Sequence, residues 1–166
     1  DDDGTDDPSR PSGDTPTLIC ATEMGRACGE SGYGVAAIED PGETYAGGPG
    51  FDGIECFGGV YDGDTWHPDN YAIDLAAGIV KRTNHVQTTS MLSSIEDVET
   101  YDGNDVLIGT DGANSLWSGP GDDSVDGRGG TDYIWTGAGS DTVETGDGTG
   151  DRADAGPAAD TCHADQ

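Results

Sequence analysis

The chain has 166 residues, 32% of them hydrophobic, with 29 glycines and a formal net charge of −28. So much like charge opposes compaction unless the chain stays disordered or binds cations. With 34 acidic residues against 6 basic ones, a nucleic-acid partner is excluded, and no apolar run of about eighteen residues is present to span a membrane.

Residues 1–16, "DDDGTDDPSRPSGDTP", read as an acidic flexible leader without apolar periodicity. With neither an initiator Met nor a signal peptide, Asp1 reads as a processed or trimmed start. Residues 17–44 read as an amino-terminal cap or early coils, with "TLICA" and "GVAAIE" as strands and "GESGYG" as a turn. Ser31 is read as a loop serine, because Tyr33 stands where a nucleophile elbow needs its second glycine. Residues 45–98 begin with "GGPGFDGIE" (47–55), a nine-residue unit carrying Asp52 and Ile54.

Residues 99–166 form an array. Asp105, Asn114, Asp123, Asp132 and Asp141 stand nine residues apart. Leu107, Leu116, Val125, Ile134 and Val143 follow two positions later, and Gly103, Gly112, Gly121, Gly130 and Gly139 precede by two. After Glu144 the register slips by one, then resumes with Asp151 and Asp160 and with Ala153 and Cys162 in the apolar column. Upstream, Glu96 and Val98 sit nine before Asp105 and Leu107.

A nine-residue period with a six-residue turn leaves three residues for a strand. The middle side chain points inward and its neighbours outward. One small apolar residue per unit cannot form a core unless units stack. Two units make a flattened coil, so Asp105, Asp123 and Asp141 stack along one side and Asn114, Asp132 and Asp151 along the other. Strands stack about 4.8 Å apart. Carboxylates that close repel unless a cation lies between them. Carboxylate oxygens with backbone carbonyls from flexible turns suit calcium.

"GGPGFDGIE", "GPGDDSVDG" and "GGTDYIWTG" resemble the GGxGxDxUx nonapeptide of the RTX, or haemolysin-type calcium-binding, repeats. Residues 71–117 resemble the bridging unit that leads into such arrays, so 45–98 holds a first repeat and bridging unit. The resemblance implies an all-β parallel β-roll, or β-solenoid, with several Ca2+ ions between stacked turns. It also implies an extracellular or cell-surface location. The expected ligands are Asp52, Asp105, Asn114, Asp123, Asp132, Asp141, Asp151 and Asp160. Sites near the neutral Asn114 and the interrupting Gly150 should be weaker or empty.

An exported chain favours disulfides among Cys20, Cys28, Cys56 and Cys162. About six coils, or about 28 Å, separate Cys56 from Cys162, beyond the roughly 7 Å a disulfide spans. Cys162 is therefore expected either inside the last coil or bonded to another chain. Trp117 and Trp135, with Tyr133 beside them, should point outward as a stiffening ladder or a contact face for another chain or a glycan. His67, His85 and His163 show no metal or catalytic spacing, and no enzyme is expected. The function read from the sequence is a calcium-binding structural protein stacking head to tail as a homopolymer, in a filament or surface layer. The alternatives are a non-catalytic folding and secretion module of a larger exported enzyme or toxin, and a glycan-binding module.

Overall fold

A computed structural model describes residues 34–35, 44–47, 51–56, 58–84, 88–146 and 150–163. The expected leader, Cys20, Cys28, Ser31 and His85 lie outside the described residues. Every regular element among the described residues is a strand, and no helix there is long and apolar enough to cross a membrane. The first three strands are β1 (Gly34–Val35), β2 (Thr44–Ala46) and β3 (Gly53–Cys56). A hairpin follows, β4 (Gly59–Asp62) and β5 (Thr65–Pro68), then a meander, β6 (Tyr71–Asp74), β7 (Ile79–Arg82) and β8 (Thr88–Ser93). The array supplies β9 (Asp97–Thr100), β10 (Val106–Ile108), β11 (Ser115–Trp117), β12 (Ser124–Asp126), β13 (Tyr133–Trp135), β14 (Thr142–Glu144), β15 (Arg152–Asp154) and β16 (Thr161–His163).

Array strands alternate between two sheets. One has six strands in the order β1-β3-β9-β11-β13-β15, all parallel. The other has eight, β16-β14-β12-β10-β6-β7-β8-β2. Register follows the sequence period. Leu107 pairs with Val125 and Val125 with Val143; Val98 pairs with Leu116 and Leu116 with Ile134. The slip after Glu144 is absorbed between strands, so Ala153 still pairs with Ile134 and Cys162 with Val143. This is the expected parallel β-roll, and the isolated early unit joins it, with Ile54 beside Val98.

The core is a single file. Val98, Leu107, Leu116, Val125, Ile134 and Val143 are each at most 3% exposed, while the flanking residues of their strands reach outward. The same cluster continues into Ile54, Cys56, Tyr71, Ile73 and Val80. Ala153 and Cys162 keep the inward register but are exposed, because no described coil covers them.

Residues 57–96 depart from simple coiling. β6, β7 and β8 run antiparallel to one another, and β4–β5 forms a separate antiparallel pair. The turn from β6 to β7 is closed locally: Ala77 N donates to Asp74 Oδ1 at 2.8 Å, and Gly78 takes a φ of 66°. These residues add no coils to the six-stranded sheet. Cys56 and the last coil are therefore separated by the four steps β3-β9-β11-β13-β15, roughly 19 Å rather than the expected 28 Å. That still exceeds disulfide reach. Neither Cys56 nor Cys162 is bonded in the structure. Cys56 is fully buried as a core residue, and burial, with Asp105 and Glu55 adding repulsion, pushes its thiol far above the ordinary range.

Candidate metal centre

The turns between strands carry the array's carboxylates, and the sheet register stacks them. Each reaches back to the preceding coil. Asp105 Oδ1 accepts from Tyr71 N at 2.7 Å, Asp123 Oδ1 from Asp105 N at 2.8 Å, Asp141 Oδ1 from Asp123 N at 2.9 Å, and Asp160 Oδ1 from Asp141 N at 3.0 Å. On the opposite edge, Asp132 Oδ1 accepts from Asn114 N at 2.8 Å and Asp151 Oδ1 from Asp132 N at 2.9 Å. Glu96 completes this column one coil earlier, taking the Asp52 amide at 3.0 Å. Its spacing from Asp105 places it in the period, though it was not among the expected ligands.

Asn114 keeps the column position with a different bonding pattern. Its Oδ1 accepts from Thr110 N at 2.7 Å and Thr110 Oγ1 at 3.1 Å, and its Nδ2 donates to Glu96 O at 3.3 Å. The neutral amide is thereby satisfied within the protein. A second, more exposed ladder was not anticipated. Asn104 N donates to Asn70 Oδ1 at 3.1 Å, Asp122 N to Asn104 Oδ1 at 3.0 Å, and Ser140 N to Asp122 Oδ1 at 2.9 Å. The eighteen-residue steps from Asn104 to Asp122 and from Asp122 to Ser140 were its sequence signal.

The second carboxylate oxygens pose the chemical problem. Oδ2 of Asp105, Asp123 and Asp132 is buried with no hydrogen-bond partner. Burial pushes the Asp105 carboxyl up to about 7; the Tyr71 amide and Thr100 hydroxyl oppose this, and Asp123 repulsion adds to it. Burial raises Asp123 to about 6 against the Ser118 hydroxyl and Asp105 amide, with Asp141 and Asp122 repelling. It raises Asp132 to about 6 against the Asn114 amide, with Asp151 and Asp126 repelling. Asp69 shows the usual remedy: it is buried but paired with Arg82 at 3.0 Å. Among the described residues no basic side chain does this for Asp105, Asp123 or Asp132.

A cation between coils fits these atoms. Among the described residues no three acidic, cysteine or histidine side chains converge on one point. The rest of a coordination shell must come from backbone, which favours a hard, oxygen-seeking ion of high coordination number. Carbonyls are packed closely along the turns: a Cβ on Gly121 would strike Gly103 O, and one on Gly139 would strike Gly121 O.

The expected surface residues lie where their register puts them. Trp117 pairs with Trp135 on the outer face of the six-stranded sheet, their rings 5.0 Å apart and inclined at 62°, and Tyr133 is exposed beside them. His67 is exposed in β5, and His163 lies 3.7 Å from Glu144.

No curated protein matches the chain. The family model of the RTX calcium-binding nonapeptide repeat (4 copies) matches residues 99–134 and 119–151. These spans contain the carboxylate columns from Asp105 to Asp151, the inward file from Leu107 to Val143 and the tight turns between them. Residues 99–151 are an array of RTX calcium-binding nonapeptide repeats, folded as a parallel β-roll.

Proposed function

We propose that the chain is an extracellular structural module whose roll is held together by calcium ions lying between successive turns. One observation carries the reading: buried carboxylate oxygens of Asp105, Asp123 and Asp132 lack a hydrogen bond in a chain of net charge −28. A bound divalent ion satisfies such oxygens and removes their repulsion. Asp105, Asp123, Asp141 and Asp160 supply side-chain ligands on one edge. Asp52, Asp132 and Asp151, with Asn114 as a neutral member, supply them on the other. Turn carbonyls fill the remaining positions. Because no such site exists in the unfolded chain, binding energy becomes folding energy.

The module serves as scaffold, without catalysis, and copies of it stack end to end. The exposed inward residues Ala153 and Cys162 support stacking, since they present the open face of a coil beside strand edges. A coil from a second copy would make a filament by a heterologous contact; a coil from a longer parent chain would make this a module of a larger exported protein. Circular dichroism in excess chelator should show loss of β-structure, restored by calcium more than by magnesium. A spectrum indifferent to both ions overturns the calcium reading. Electron microscopy of the calcium-loaded protein tests stacking, and monodisperse short particles at high concentration overturn it.

A further inference from the structure

The two edges of the roll are built differently. The residue that opens each six-residue turn is Thr100, Ser118 or Thr136 on the edge of Asp105, Asp123 and Asp141, and all three side chains are buried. On the opposite edge the same place holds Gly109 and Gly127, and in the last turn the buried Thr145. Thr136 Oγ1 donates to Asp141 Oδ2 at 2.8 Å. With Asp123 N on Oδ1 at 2.9 Å, that carboxylate is held through both oxygens. Thr100 and Ser118 point their hydroxyls along the stack, to Ser118 O at 3.0 Å and Thr136 O at 3.4 Å.

At Gly109 and Gly127 there is no room for this device. A Cβ on Gly127 would stand 2.7 Å from Asp132 Oδ2, and one on Gly109 2.7 Å from Asn114 Oδ1. The side-chain ladder of Asn70, Asn104 and Asp122 also braces only the hydroxyl edge.

We propose that Thr136 is a positioning residue that aims the Asp141 carboxylate, so that turn 136–141 takes up calcium at lower concentration than the glycine-edge turn 127–132. The proposal rests on the calcium reading above. A hydroxyl has one O–H donor and rotates freely, so it can turn to the carboxylate, as Thr136 does, or to the next coil's carbonyl, as Thr100 and Ser118 do. Fixing a carboxylate leaves its remaining lone pairs aimed in one direction, and losing such an orienting partner typically costs about 10- to 100-fold in metal affinity. Asp132 is fixed by Oδ1 alone, and Asn114 brings no charge.

Hydrogen exchange followed by mass spectrometry, across a series of free calcium concentrations on the full chain, reads each turn separately. In the wild type, turn 136–141 should become protected at calcium concentrations about tenfold lower than turn 127–132. Thr136→Val, which keeps the volume and removes the donor, should raise the 136–141 midpoint by about tenfold, and Thr136→Ser should restore it to within about twofold. Ser118→Ala, which removes a hydroxyl that donates to a carbonyl, should leave the 118–123 midpoint within about twofold. One shared midpoint for both wild-type turns, or equal midpoints for the Val and Ser variants, overturns the proposal. Wild-type turns protected equally with and without calcium overturn the calcium reading itself.

Discussion

Asp132 holds Asn114 in place, while Asn114 does nothing equivalent for Asp132. Asp132 Oδ1 takes the Asn114 amide at 2.8 Å, whereas the Asn114 side chain turns to Thr110 and to Glu96 O. Asp132→Ala therefore leaves a buried N–H without its acceptor, a loss of about 1–3 kcal/mol, and removes a calcium ligand as well. Asn114→Ala breaks bonds to a single turn and one carbonyl. The calcium midpoint of folding, followed by circular dichroism, should rise more for Asp132→Ala. Equal midpoints would count against the column assignment.

Acidity should act oppositely on the ion-free and ion-loaded chains. Asp105 sits at about 7 in the folded chain, and Asp123 and Asp132 at about 6, all above the ordinary value of 3.8. A raised carboxyl pKa means that the folded state binds protons more tightly than the unfolded one. Its stabilising effect is complete below the unfolded value and lost as pH rises through the folded value. In chelator, β-structure should grow as pH falls from about 8 toward 4. With calcium present, the calcium midpoint should climb over the same descent, because protons compete for the same oxygens. Chelated protein that loses β-structure monotonically on acidification would contradict the burial of these carboxylates.

Gly121 and Gly112 occupy equivalent places in their repeats but should respond differently to alanine. Gly121 has a φ of 151°, and its Cβ would strike Gly103 O of the coil before. Gly112 would meet only Thr110 Oγ1, at 3.6 Å. Gly121→Ala should cost about 1–3 kcal/mol or more, read as a lower melting temperature in saturating calcium, and Gly112→Ala should remain close to wild type. Matching losses would show that the coils do not approach as closely as described.

The two described thiols should differ sharply in reactivity. Cys56 is closed in the core and Cys162 is exposed at the last coil. In calcium-loaded protein, an alkylating reagent should label Cys162 at least about 100-fold faster than Cys56. Peptide mapping separates both from Cys20 and Cys28. Comparable rates would mean that the inward file is open at Cys56.

The array was legible because one spacing fixes three things at once: the inward residue, the turn glycine and the stacked carboxylate. Even the slip before Asp151 was readable, since Asp151 and Asp160 resume the count. Residues 57–96 were not, because local turns rather than the long period decide their pairing. A signal did exist in "YDGDTW", where Gly63 and Asp64 make the turn between β4 and β5. Glu96 was legible as a column member by its spacing from Asp105, but not that its carboxylate takes the Asp52 amide. The hydroxyl column was hidden for another reason: Thr100, Ser118 and Thr136 share a role with the pattern's glycine, and only the depth of burial separates them from ordinary turn residues.

The regular step of the roll also sets an order of assembly in time. β6, β7 and β8 pair with near neighbours in sequence, so this meander can form before anything distant has been brought together. From β11 onward each strand joins a partner eighteen or nineteen residues back, as Asp123 does with Asp105 and Asp151 with Asp132. Every closure thus spans a nearly constant stretch of chain, with a nearly constant entropic barrier, and each finished coil is the surface on which the next one condenses. Growth proceeds as a zipper from the meander toward residue 163, and a chain halted partway retains a finished stack carrying one unfinished edge.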